Sequence, residues 1–217
     1  METIDEDLLT SERPEELSNK QVFFEIWMRP RKVFRFLHAY AYDKYTIPLI
    51  LAVSFLAGFD QQVSIITISG DISAWQVFTV ILTVFLGWLL YYVLAALLSM
   101  VGKWLGGNAR TKELLRVVAY SVIPALARTP FSIIALVVGL LSHSASVSSI
   151  VSQGTLVITS IIGFILGMWQ LVLMVVGISE VQAFSIGKAI LSVILVFAIV
   201  FIPLMAIVFF VLQQRFF

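Results

Sequence analysis

The chain alternates long apolar runs with short polar gaps, and the runs are longer than the helices of a water-soluble core. A bilayer core of roughly 30 Å takes about 20 apolar residues per helical span. Five runs meet or approach that length, at about 45–62, 74–101, 117–141, 156–178 and 190–212. The first is the shortest, because Asp60, Gln61 and Gln62 interrupt it. The second is free of charge; the third is apolar except for Arg128 and carries Pro124 and Pro130. This pattern predicts an all-α fold, a polytopic membrane bundle of five transmembrane spans over residues 45–217. An acidic, disordered cytosolic tail over 1–16 and a helical region over 17–44 precede it.

The 17–44 region has its own periodicity. Val33, Phe34, Leu37, Tyr40 and Ala41 share one helical face, and Arg31, Lys32, Arg35 and His38 lie largely off it. An amphipathic helix of this kind lies in the headgroup layer before the first span. Arg31, Lys32, Arg35, Phe34 and Leu37 are therefore the expected lipid-surface contacts, with anionic headgroups as partners. Each basic residue near such a surface contributes about 1 kcal/mol. The aromatics could equally pack against the cytosolic ends of the spans. Upstream, Ser18 and Gln21 match a capping box, with Leu17 and Val22 placed as a hydrophobic staple. Pro30 should end the helix that they start.

Charge orients the bundle. Most of the 14 Lys and Arg residues collect in alternate gaps. Arg29, Arg31, Lys32, Arg35 and Lys44 precede the first run, Lys103, Arg110, Lys112 and Arg116 separate the second and third, and Lys188 lies between the fourth and fifth. The intervening gaps hold Asp60 and Asp71, or no charge at all. Short cytoplasmic loops collect Lys and Arg, so the amino terminus is expected inside and the carboxyl terminus outside. The acidic first residues are not a signal peptide, and the first span is expected to target the chain.

Composition changes the picture only by exclusion. The chain is 60% hydrophobic with a mean hydropathy of +1.01. The absence of Cys removes disulfides, thiolate catalysis and Cys-ligated metals. His38 and His143 stand apart, so no metal or cofactor is expected. The Ser-rich stretch 142–152 lacks a base or a nucleophile elbow and reads as a loop. No acid–base or nucleophile set points to an enzyme, and nothing points to nucleic acid.

Arg128 is the sharpest single residue. It lies about 18 Å along a helix from Arg116, near the bilayer middle. Insertion costs roughly 2.5–3.5 kcal/mol for Arg at that depth. It should face the bundle, bonded to carbonyls freed by Pro124 and Pro130 or to Asp60. Gly163 and Gly167 form a small-residue pair that would let helices approach closely, within the bundle or between subunits of an oligomer. Gly106 and Gly107 before Asn108 predict a tight turn with positive φ.

Two stretches carry a resemblance. One runs Gly102-Lys-Trp-Leu-Gly-Gly-Asn-Ala-Arg-Thr-Lys-Glu-Leu-Leu-Arg-Val-Val-Ala-Tyr-Ser-Val-Ile-Pro124, and the other Gly177-Ile-Ser-Glu-Val-Gln-Ala-Phe-Ser-Ile-Gly-Lys-Ala189. Both resemble the signature stretches of the Yip family, the Ypt/Rab-interacting membrane proteins, in a compact prokaryotic form. Trp27–Pro30 followed by Phe34 resembles the family's pre-span motif. The resemblance singles out Gly106, Gly107, Lys112, Glu113, Tyr120, Pro124, Gly177, Ser179 and Lys188. It implies five spans, residence in a bacterial cytoplasmic membrane and a non-enzymatic role in organising membrane or recruiting a protein partner on the cytosolic face. Relatives linked to small GTPases carry longer amino-terminal regions, and the short acidic one here argues against that contact. The alternative reading is a small transporter, channel or lipid-moving protein that uses Arg128.

Overall fold

The computed structural model describes residues 15–69, 73–143 and 148–216, and these form helices and connections, with no strand among them. Most of the acidic tail lies outside the described residues, as does Asp71. Two short helices come first, α1 (Asn19–Met28) and α2 (Pro30–Ala39). Ser18 caps α1 as the sequence predicts: its hydroxyl accepts from Gln21 N at 3.4 Å, and its own N–H donates to Gln21 Oε1 at 2.8 Å. Leu17 and Val22 are both buried beside this cap. Pro30 ends α1 and opens α2 at its first position, where a missing N–H costs nothing.

Long apolar helices follow. They are α3 (Thr46–Ser69), α4 (Ala74–Trp104), α8 (Ser149–Gln182) and α9 (Ile186–Phe216). Between α4 and α8 the chain forms α5 (Thr111–Ser121), the single turn α6 (Ile123–Leu126) and α7 (Thr129–His143). The α5–α6 stretch and α7 are bent by 45° at a short break, and together they are long and apolar enough to make a fifth span beside the four others. The molecule is thus a polytopic helical membrane bundle.

The first span differs from the expected 45–62. The helix runs on through Asp60–Gln62, because Asp60 and Gln62 find partners in the protein, while Gln61 is exposed. Gln62 Nε2 donates to Thr79 Oγ1 of α4 at 3.0 Å, and Gln62 is 6% exposed. Half of the apolar window of α3 is buried against 6% for α4, so α3 is the central helix. Glycines on its neighbours receive its small polar side chains: Gly87 of α4 faces Ser54, and Gly139 of α7 faces Thr67. Most of the large apolar side chains of α4, α8 and α9 point outward, as helices meeting lipid require.

The core gathers at one end of the bundle. There α1, α2 and α5 pack with the ends of α4, α8 and α9, around the fully buried Phe34 and Tyr120. This end carries the basic gaps and is called the basic end below.

Candidate functional site

The proline-broken third span builds the intramembrane polar centre. Neither proline kinks a continuous helix. Pro124 lies in the first turn of α6, and Pro130 follows Thr129 at the start of α7. Arg128 stands in the break, and its carbonyl accepts from Phe131 N and Ser132 N, the first bonds of α7. The carbonyl that Pro130 leaves open, Leu126 O, accepts from Thr129 Oγ1 at 2.7 Å. Of the two alternatives for Arg128, a freed carbonyl or Asp60, the first is thus taken up by Thr129. The guanidinium instead meets the Asp60 carboxylate of α3, through Nη2 and Oδ2.

Gly163 of α8 lies against the same guanidinium, and a Cβ there would collide with Nη1. Within the chain, Gly163 and Gly167 are not a helix-contact pair. Gly163 makes room for an arginine side chain rather than for a helix backbone, and a Cβ at Gly167 would meet nothing within 4 Å. The space left open is a cleft. A cavity of about 180 Å³ is lined by Arg128, Gly163, Gly167 and Gln170 with apolar side chains of α3. A second, of about 80 Å³, is lined by Asp60, Ser64, Arg128, Ser132, Thr159 and Ser160 with a few apolar neighbours. Arg128 lines both.

The basic end holds two further ionic centres. Arg116 of α5 is 4% exposed. Its Nε donates to Asp43 Oδ1 and its Nη1 to Leu37 O, both at 2.8 Å. Lys112, one turn earlier, reaches Asp43 Oδ2 at 2.8 Å. Partial burial alone would raise the Asp43 carboxyl, but the bonds from Lys112 and Arg116 outweigh it and hold the group below its usual range. Across α8, Glu180 accepts from Arg35 Nε at 2.9 Å and pairs with Arg31 at 3.6 Å. Lys32 pairs with Glu15 and Glu25, and these two bonds raise its pKa.

These pairings settle what the amphipathic helix faces. Phe34 and Leu37, expected at the lipid surface, are 0% and 2% exposed and belong to the protein core. The apolar face of α2 is consumed by α5 and α8, whose apolar residues it meets more closely than lipid could. Arg31 and Arg35 project from the same helix toward Glu180. The large apolar side chains left exposed in the 17–44 region are Phe24 and Met28 of α1 and Tyr40, just after α2.

A family model, the Yip1 domain, matches residues 24–207. The chain belongs to the Yip family. No curated protein and no solved structure matches it. The Yip family is one of non-enzymatic membrane proteins that generally interact with other proteins. The Yip-like loop residues now have physical surroundings. Gly106 has φ +91°, the left-handed turn its glycine permits. Gly107 and Gly102 both lie against the side chain of Gln182, which accepts from Ala109 N at 3.0 Å and so pins this turn to α8. Glu113 caps α5 by accepting from Arg110 N at 2.8 Å. Lys188 Nζ donates to Leu105 O at 3.0 Å, at the carboxyl end of α4. Ser179 Oγ donates to Phe184 O at 2.7 Å where α8 ends on the left-handed Ala183. Gly177 admits Phe34 and Val117.

Asp43, Arg116, Glu180 and Gln182 were not singled out from the sequence as site residues. A signal was present for two of them. Asp43 is the one acid within the basic stretch 29–44, and Glu180 is the one acid between the fourth and fifth runs.

Proposed function

We propose that the protein organises membrane or recruits protein partners through its basic end. The observation that carries this reading is the folded cap there. Ion pairs from Glu180 and Asp43 tie α2 to α8 and the loop before α3 to α5, and so present a preformed polar face rather than loose loops. A preformed face loses little conformational entropy on binding. Arg110 and Asn108 are exposed on it, beside the Gly106–Gly107 turn. The basic side chains also suit anionic headgroups, with this end in the cytosol of a bacterial cell.

A second reading, a small transporter, channel or lipid-moving protein, is favoured by the cleft at Arg128. One pair of variants separates the two, measured by crosslinked partner recovery from membranes and by flux or lipid exchange in vesicles. Arg110→Glu should remove a crosslinked partner that the wild type retains, while Arg128→Leu keeps that partner. Loss of vesicle activity per folded molecule in Arg128→Leu, with the same crosslinks in Arg110→Glu as in the wild type, would favour the second reading and overturn the first.

A further inference from the structure

The cleft between α3 and α8 is a site of matched opposite charges at membrane depth. Along α8 its lining runs from Leu156 to Gln170, a rise of about 21 Å. Arg128 and Asp60 stand together near its middle, and the guanidinium Nε has no protein hydrogen-bond partner among the described residues. Ser64 and Ser160 are exposed at the rim, on spans whose other exposed faces are mostly apolar. Hydroxyls at the rim of a cleft in a membrane span give an entering polar group something to bond before it reaches the ion pair. Gly163 and Gly167 remove the side chains that would close the opening from α8.

We propose that this cleft binds the headgroup of a zwitterionic phospholipid, of the phosphatidylethanolamine class, entering sideways from the bilayer. The charge pattern selects the class. Arg128 and Asp60 neutralise each other, so the empty site has no net charge. A headgroup with a net negative charge would leave one charge uncompensated at low dielectric, which is unfavourable. A zwitterionic headgroup brings a phosphate and an ammonium on a short ethylene arm, and leaves the site neutral. The phosphate meets the exposed part of the guanidinium, a planar donor suited to phosphate oxygens, on a side chain that is 29% exposed. The ammonium meets the second face of the Asp60 carboxylate, and the Thr159 hydroxyl takes a remaining phosphate oxygen, while the Ser160 hydroxyl, which donates to Leu156 O, can accept from the ammonium. The acyl chains stay in the bilayer against the apolar outer faces of α3 and α8. Binding here shares its cleft with the transport reading but needs no transport, so an inactive flux assay leaves it standing.

The test uses the full chain, extracted in detergent and offered equal amounts of phosphatidylethanolamine and phosphatidylglycerol, with retained lipid counted by native mass spectrometry. Arg128→Gln should lower phosphatidylethanolamine retention at least fivefold and change phosphatidylglycerol, held at the basic end, by less than twofold. Because Arg128→Gln also breaks an ion pair, Gly167→Leu is the second variant. It leaves Arg128 and Asp60 intact, fills the larger cavity and should give the same selective loss. Soluble glycerophosphoethanolamine at the same concentration should not displace the lipid; displacement would overturn the bilayer as the source. Equal loss of both lipids in both variants, or unchanged phosphatidylethanolamine in Gly167→Leu, would overturn the site.

Discussion

A methyl group added at Gly177 would sit 2.5 Å from Val117 Cγ1 and 2.9 Å from Phe34 Cε1, both side-chain atoms inside the core of the basic end. Neither neighbour has room to retreat, since Phe34 and Val117 are 0% and 2% exposed. Overpacking of this kind costs about 1–3 kcal/mol. Gly154 lies in the same helix with nothing within 4 Å of the added atom. Alanine there removes a flexible position from a helix, and should be neutral or stabilising by up to about 1 kcal/mol. Thermal unfolding in detergent should therefore fall for Gly177→Ala and hold or rise for Gly154→Ala. Parallel changes in the two variants would mean that the α2–α5–α8 junction is packed differently. The sequence places Gly177 near the end of the fourth apolar run and Gly154 just before its start, and does not say which of them is packed. What separates them is a neighbour 143 positions away, Phe34, and residue spacing carries no trace of that contact.

At the scale of elements, the loop before α3 is joined to α5 by one carboxylate. Asp43→Asn removes the charge that faces the buried Arg116 guanidinium from a partly exposed position, and should cost about 1.5–3 kcal/mol, as for a hydrogen bond to a charged group. Lys112→Ala removes only the exposed partner and should cost about 0–1 kcal/mol. The Asp43 carboxyl is held below its usual value of about 3.9. Its contribution to stability is therefore full above that value and is lost as pH falls through the lowered folded value. The gap in thermal midpoint between wild type and Asp43→Asn should be constant near neutrality and close below about pH 4. A gap that widens on acidification would remove Asp43 as the anchor. Elements themselves are legible in the chain because their causes are local. The Ser18–Gln21 cap, the Pro30 boundary and the lengths of the apolar runs all depend on residues within a few turns. The apolar face of α2 is equally legible, but its partner is not, because periodicity marks a face without saying whether lipid or protein covers it. Asp43 with Arg116 and Arg35 with Glu180 join residues 73 and 145 positions apart. The Arg128–Asp60 pair was accessible to reasoning only because acids are scarce at membrane depth.

At the scale of the whole molecule, the broken helix decides the topology. The pair α5–α6 and α7 passes the length and apolarity test only when taken together, and its 45° bend is compatible with a bent span or a re-entrant loop. Two features argue for a crossing. The core places α5 at the basic end, packed with α2, while α7 packs along α3 as far as Gly139 against Thr67, well beyond Asp60. The basic gap at 103–116 and the uncharged gap after α7 also differ as the two sides of a membrane do. The chain has no Cys, so single cysteines report side without background. Asn108, Ser73 and Ser148 are exposed positions in three different connections. With five crossings and the basic end inside the cell, a membrane-impermeant maleimide should label Ser73→Cys and Ser148→Cys in intact cells. Asn108→Cys should react only after permeabilisation. Gln213→Cys, near the end of α9, should label with the first two, because an odd number of crossings carries it to the side opposite α1. A re-entrant third segment would leave Ser148→Cys protected together with Asn108→Cys and move Gln213→Cys inside unless the last helix reverses as well. In that case Arg128 would sit at the tip of a loop, and the cleft beside it would open to water rather than to lipid.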